Sequence, residues 1–116
     1  MDSPIHNKIR TVFIPVSDIG QAAAWYSGIL GLPPDGEVLF GHLYVLPMQG
    51  AGIVLDSKIY SPEAIFKTPV VQFATGDIER SYAYLKSRGV RLVTGIENGH
   101  WFTFADPDGN LLMVCR

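Results

Sequence analysis

The sequence has little of what proteins use to build covalent bridges, metal clusters or charged interfaces. A single cysteine, Cys115, occurs in 116 residues, so an internal disulfide and a paired-cysteine zinc site are both excluded. Charged residues make up only 17%, and nine basic and eleven acidic residues give a net charge of −2 with no run of either sign. Nucleic acids and anionic membrane surfaces are bound through clustered positive charge, so we expect neither as a partner.

Long apolar runs are also lacking, which argues against export or membrane insertion. The first six residues have no apolar stretch of the kind a signal peptide needs, and this favours the cytoplasm. Residues 38–55 carry no formal charge, but Gly41, Pro47, Gly50 and Gly52 interrupt them, which favours short buried strands over a membrane helix. Hydrophobic residues reach 47%, so we expect one core-rich cytoplasmic domain covering residues 1–116.

The chain contains two copies of one pattern, 59 residues apart. A short apolar strand leads into Asp18 in the first copy and into Asp77 in the second. The same offset places Gly50 over Gly109, and it places His42 over Trp101. An offset that holds at both ends of a unit indicates two copies of one module. We place module one at about residues 9–56, a linker at about 57–68 and module two at about 69–116.

Each copy predicts one strand, one helix and three further short strands. Asp18 and Asp77 are good N-caps, and glycines at 31 and 89 are placed to end the helices. The first strands are predicted at Thr11–Val16 and Val70–Thr75. The later ones are predicted at Glu37–Phe40, His42–Leu46 and Gly52–Leu55, then at Arg91–Val93, His100–Ala105 and Leu111–Cys115. The predicted class is therefore α+β, with two βαβββ modules that form a cleft.

Two stretches resemble a known superfamily. The opening Val16-Ser17-Asp18, followed by a helix with Trp25-Tyr26 and by Ile29-Leu30-Gly31-Leu32, is one of them. The closing Phe104-Ala105-Asp106-Pro107-Asp108-Gly109-Asn110-Leu111 is the other. Together they resemble the vicinal oxygen chelate superfamily of glyoxalases, bleomycin resistance proteins and extradiol dioxygenases. The resemblance implies the fold, whereas the reaction must be argued from the site.

The resemblance also implies where a metal would be held. Enzymes of this superfamily use a His on the first strand and a Glu on the last strand of each module. In this chain those positions are Thr11, Val54, Val70 and Met113. None of the four is a usual ligand of a divalent metal. We therefore expect no metal and no cofactor, although Asp56, Cys115, Glu37, His42 and His100 remain as donors for a displaced site.

Strand alternation predicts what the cleft offers instead. Phe13 and Gln72 share a strand face with Thr11 and Val70, and Val54 and Met113 complete a mostly apolar surface. His42, Tyr44 and Trp101 are candidates for its walls, although core packing competes for each aromatic ring. The predicted ligand-binding residues are Thr11, Phe13, His42, Tyr44, Val54, Val70, Gln72, Trp101 and Met113.

Three functions are compatible with these residues. The first is a metal-free protein that resembles drug-sequestering resistance proteins and binds a small aromatic or amphipathic molecule in an apolar cleft. The second is an enzyme of the same superfamily, a lyase, isomerase or dioxygenase with an unorthodox site. The third is a structural or interaction protein with a closed cleft. The resemblance also implies a homodimer, with modules side by side or exchanged between chains.

Overall fold

Each half of the chain folds into a small sheet with one helix packed across it. This arrangement is seen in a computed structural model that describes residues 2–116. The elements, in chain order, are β1 Thr11–Pro15, α1 Ile19–Leu30, β2 Leu43–Leu46, β3 Gly52–Asp56, β4 Gln72–Ala74, α2 Ile78–Ser87, β5 Arg91–Leu92, β6 Trp101–Ala105 and β7 Leu111–Cys115. The strand orders are β1-β3-β2 and β4-β7-β6-β5. In each sheet the first strand runs parallel to the last, and the other pairs are antiparallel. The predicted α+β class with two related modules is confirmed.

Both helices begin and end where their capping residues predict. The Asp18 side chain accepts a hydrogen bond from the backbone N–H of Gln21 at 3.0 Å, and Asp77 does the same for Arg80 at 3.0 Å. These bonds satisfy backbone donors that have no partner inside the helix. Gly31 ends α1 with φ of 65°, a left-handed conformation that glycine adopts without a steric penalty.

The strand predicted at Glu37–Phe40 is wrong, because only Leu39 makes a bridge, to Leu43. The three residues between them form a tight turn with left-handed backbone at Phe40 and Gly41. Upstream, the Gly36 N–H donates to the Tyr44 hydroxyl at 3.1 Å, so a side chain takes the place of a strand partner. A Cβ at Gly36 would lie 2.8 Å from that ring, which explains the glycine. The strand expected at Val70–Thr75 also shortens, to Gln72–Ala74.

The two modules are not an exact repeat. The offset of 59 residues holds for β1 and β3, whose partners in module two are β4 and β7. At the turn before the second strand it falls to 58, because Leu39 bridges Leu43 as Glu97 bridges Trp101. The placement of His42 over Trp101 is therefore wrong: His42 is equivalent to His100. The backbone carbonyl of each histidine accepts a bond from the residue after the last strand of its module, Ser57 or Arg116.

Each sheet has a core face and an outer face. The core faces carry fully buried side chains such as Ile14, Leu55, Phe102 and Leu112. They pack with Tyr26 and Ile29 of α1 and with Ile78 and Leu85 of α2 into one hydrophobic cluster. Within residues 2–116, no helix has both the length and the apolar character needed to span a membrane.

A buried polar network joins the two modules. Asp106 accepts a hydrogen bond from the Tyr26 hydroxyl at 2.7 Å and another from the Asn110 side-chain amide at 2.8 Å. The same amide donates to the Pro15 carbonyl at 2.8 Å, and Asn110 Oδ1 accepts from the Phe66 N–H at 2.8 Å. The Asp106–Asn110 turn thus holds α1, the end of β1 and the linker together.

Candidate functional site

The first candidate surface is the outer face of the first sheet. Period-two alternation and the strand register place eight residues on it: Thr11, Phe13, Pro15, Leu43, Val45, Gly52, Val54 and Asp56. Phe13, Val54 and Val45 form one row across the three strands. Phe13 is 47% exposed and Val45 is 50% exposed. This face therefore presents an apolar surface that nothing within the chain covers.

The outer face of the second sheet carries the remaining predicted residues. Gln72 pairs with Met113, which pairs with Thr103, and Trp101 pairs with Cys115 one step along. The Gln72 amide lies 3.7 Å from the Met113 sulfur. Val70, just before β4, is 61% exposed. Thr103 is nearly buried, since Thr94 bonds its backbone and the segment after β5 covers that part of the sheet.

Tyr44 is the predicted ligand-binding residue that the structure places elsewhere. It lies on the core face of β2, where it is nearly fully buried, and its hydroxyl is used by Gly36. A tyrosine in that position supports the turn before β2, so it is not a wall of the outer face. The sequence left its facing open, because a strand's register decides which residue of a pair points inward.

A groove of about 740 Å³ lies where the two modules meet. It is lined by residues of β1, β4, the end of α1 and the turn after β2, among them Val12, Leu30, Met48, Val71 and Phe73. Val70 and Gln72 of the predicted set also line it. The structure thus distributes the predicted residues between this groove and two outer faces.

The residues at the superfamily's metal positions do not fit a divalent metal. Val54 offers an alkyl chain, Val70 another, Thr11 a neutral hydroxyl and Met113 a thioether, none of which suits such a site. Among residues 2–116, no three His, Cys, Asp or Glu side chains come together as a group that could hold a metal ion. We therefore derive no chemistry through a metal.

One ionised pair lies at the end of the first outer face. Nδ1 of His42 is 2.7 Å from Oδ1 of Asp56, and the Lys58 N–H donates to the same oxygen at 2.9 Å. Burial of Asp56 opposes its ionisation, but the hydrogen bonds from His42 and Lys58 outweigh it and lower the pKa of this carboxyl. Asp56 is therefore a carboxylate at neutral pH. Its two partners fix its position.

The carboxyl of Asp106 behaves in the opposite way. Burial raises its pKa, and the hydrogen bonds from Tyr26 and Asn110 only partly oppose this shift. Burial and the neighbouring Asp106 charge likewise raise the pKa of Tyr26. The role expected from the sequence was turn chemistry, and the hydrogen bonds to the Asp108 and Asn110 N–H groups confirm that role. Its part in joining the modules was not predicted, since it depends on contacts between residues 80 positions apart.

Comparison with known proteins gives the same fold. No curated protein matches the sequence significantly. Among solved structures, TnmS3, an antibiotic binding protein from Streptomyces sp. CB03234, has a TM-score of 0.75 at 21% identity, over 98% of each chain. Glyoxalase I of Leishmania major has a TM-score of 0.71 at 15% identity, over 96% of this chain and 87% of that one.

A member of the glyoxalase/bleomycin resistance protein/dioxygenase superfamily from Sphaerobacter thermophilus DSM 20745 has a TM-score of 0.69 at 23% identity, over 92% of this chain and 94% of that one. Identities this low show the fold alone. The sequence profile described as Glyoxalase/Bleomycin resistance protein/Dioxygenase superfamily matches residues 8–114. A match over nearly the whole chain shows that this protein belongs to that superfamily.

Proposed function

We propose that this protein binds a small aromatic or amphipathic molecule on its apolar outer face and does so without a metal. The observation that carries the proposal is the row Phe13, Val54 and Val45, which exposes apolar side chains beside positions that hold no metal donor. Sites for small molecules are mostly apolar, with few polar groups. TnmS3, a structural neighbour, is an antibiotic binding protein, which is compatible with this proposal.

A second copy of the chain completes the site in this proposal. One edge of β1 and one edge of β4 have no strand partner, and both outer faces carry half-exposed apolar residues. Open edges and apolar faces of this size favour association with another chain. Since Phe13 is not covered within the chain, a homodimer would turn the open face into a cleft.

The dimer makes a direct prediction for the mass in solution. We expect sedimentation equilibrium to give twice the 12.7 kDa mass of the chain. Phe13→Arg places a charge on the proposed interface, so this variant should sediment with the mass of one chain. Ile5→Arg, at an exposed position in the stretch before β1, is the matched control and should remain a dimer. A wild-type protein that sediments as a monomer would contradict this arrangement.

The binding function is tested by thermal unfolding. We expect methoxynaphthalene, an uncharged aromatic probe, to raise the Tm of the wild-type protein in a saturable way. A ligand at a hundred times its Kd stabilises the native state by about 2.7 kcal/mol. We expect Ni²⁺, Zn²⁺ and Mn²⁺ to leave the Tm at the value of a chelated control. A saturable rise with one metal, or no rise with the aromatic probe, would contradict the proposal.

The same titration separates binding from catalysis. A binding protein returns its ligand unchanged, whereas the alternative, a superfamily enzyme with an unorthodox site, would consume it. The third alternative, a protein with a closed cleft, requires covered side chains on the outer face. The half-exposed Phe13 and Val45 argue against closure within one chain.

A further inference from the structure

The His42–Asp56 pair is the polar end of an otherwise apolar surface. Among the strand residues of the first outer face, Asp56 is the ionisable one, and it lies two residues along β3 from Val54. Leu43 and Pro15 are its neighbours in the register. A molecule lying on Phe13 and Val54 would therefore meet this pair at the end of the sheet.

The pair has a fixed geometry. Asp56 is only 4% exposed, so its position is set by its hydrogen bonds with the Lys58 N–H and with His42. A carboxylate can only accept, so the Nδ1 of His42 carries the proton of this bond. In a neutral imidazole the other nitrogen, Nε2, is then a hydrogen-bond acceptor. The His42 side chain is 27% exposed, which leaves Nε2 as the ring nitrogen that a ligand can reach.

Module two shows that the fold does not require this pair. His100 occupies the position equivalent to His42, in a turn with the same backbone hydrogen bonds. At the position equivalent to Asp56 the second module has Cys115, and Nδ1 of His100 contacts the Asn98 carbonyl at 2.6 Å instead. The turn therefore forms with or without a carboxylate. The buried carboxylate of module one needs another explanation.

We propose that the His42–Asp56 pair is the polar anchor of the ligand site, where Nε2 of His42 accepts a hydrogen bond from a phenol-type hydroxyl of an aromatic ligand. This inference rests on the proposed binding function and names the class of molecule that the site takes. The apolar body of the ligand lies on Phe13 and Val54, and its hydroxyl reaches His42. Asp56 is a positioning residue, because it holds the ring of His42 in one orientation and one tautomer.

The test compares two probes that differ only in the hydroxyl hydrogen. Naphthol donates a hydrogen bond, whereas methoxynaphthalene does not. We expect calorimetric titration of the wild-type protein at about pH 8, above the ordinary imidazole pKa, to give about tenfold tighter binding of naphthol. His42→Phe should remove this preference and leave the affinity for methoxynaphthalene unchanged. His100→Phe is the matched control and should keep the preference.

A second variant separates the tautomer from the fold. Asn in place of Asp56 keeps an oxygen for the Lys58 N–H, but its amide can donate to Nδ1 and so move the ring proton to Nε2. Asp56→Asn should therefore reduce the preference for naphthol, an effect that a merely structural role of Asp56 would not produce. This variant also decides the matter if His42→Phe does not fold.

The outcomes distinguish this inference from the function on which it rests. If the wild-type protein binds both probes equally, or if the preference survives in His42→Phe and Asp56→Asn, the anchor is disproved and the apolar site remains. If the wild-type protein binds neither probe, the proposed binding function itself fails.

Discussion

Replacing Asn110 by alanine is expected to lower the free energy of unfolding by about 3–5 kcal/mol. Asn110 is fully buried, and its side chain serves three partners in different parts of the chain. Its amide donates to the Pro15 carbonyl and to Asp106, and its oxygen accepts from the Phe66 N–H. Alanine would leave these groups buried without that partner, and each such group costs about 1–3 kcal/mol.

Denaturant unfolding measures this change, provided that the slope m is unchanged between variants. Asn7→Ala is the matched control, since Asn7 is exposed in the stretch before β1. We expect the control to lie within about 0.5 kcal/mol of the wild-type protein. A loss below about 1 kcal/mol for Asn110→Ala would mean that water or a relaxed backbone replaces the network.

Phe104→Ala is expected to cost about 3–5 kcal/mol, because it removes a large side chain from the centre of the second module. Phe104 is 1% exposed. Its ring lies 6.3 Å from that of Phe73 and 6.4 Å from that of Phe102, measured between ring centroids. These neighbours belong to three different strands, so the cavity would be shared by the whole core face of the sheet.

The same substitution at Phe40 is the control for Phe104→Ala. Phe40 is 85% exposed and lies in the turn before β2 with φ of 52°. Its loss removes no buried surface, so we expect a change within about 0.5 kcal/mol in the same denaturant titration. Equal losses at the two positions would contradict the assignment of the core.

The fold could be predicted because its signals are local. Asp18 and Asp77 cap the helices, Gly31 ends the first, and the repeat offset predicts the pairing of the modules. The prediction failed where one side chain replaces a strand partner, as the Tyr44 hydroxyl does at Gly36. Such a contact leaves no period in the sequence, so alternation could not show it.

The candidate site could be predicted only in part, for a related reason. Alternation correctly separates Ile14 and Phe73, which are buried, from Phe13 and Gln72, which are exposed. It does not show that His42 and Asp56 meet, because that contact joins the start of one strand to the end of the next. The one-residue change in offset also hid the equivalence of His42 and His100, which became visible only from the backbone hydrogen bonds.

The network between the modules also bears on the order in which the chain folds. The bond from Asn110 to the Pro15 carbonyl joins residues 95 positions apart, whereas the strand pairs within a module join residues less than half as far apart. Short loops close at a lower entropic cost, so we expect the modules to form first and the junction last. Interactions made late change the unfolding rate more than the folding rate. The junction would then set the lifetime of the native state and leave the speed of its formation to the modules.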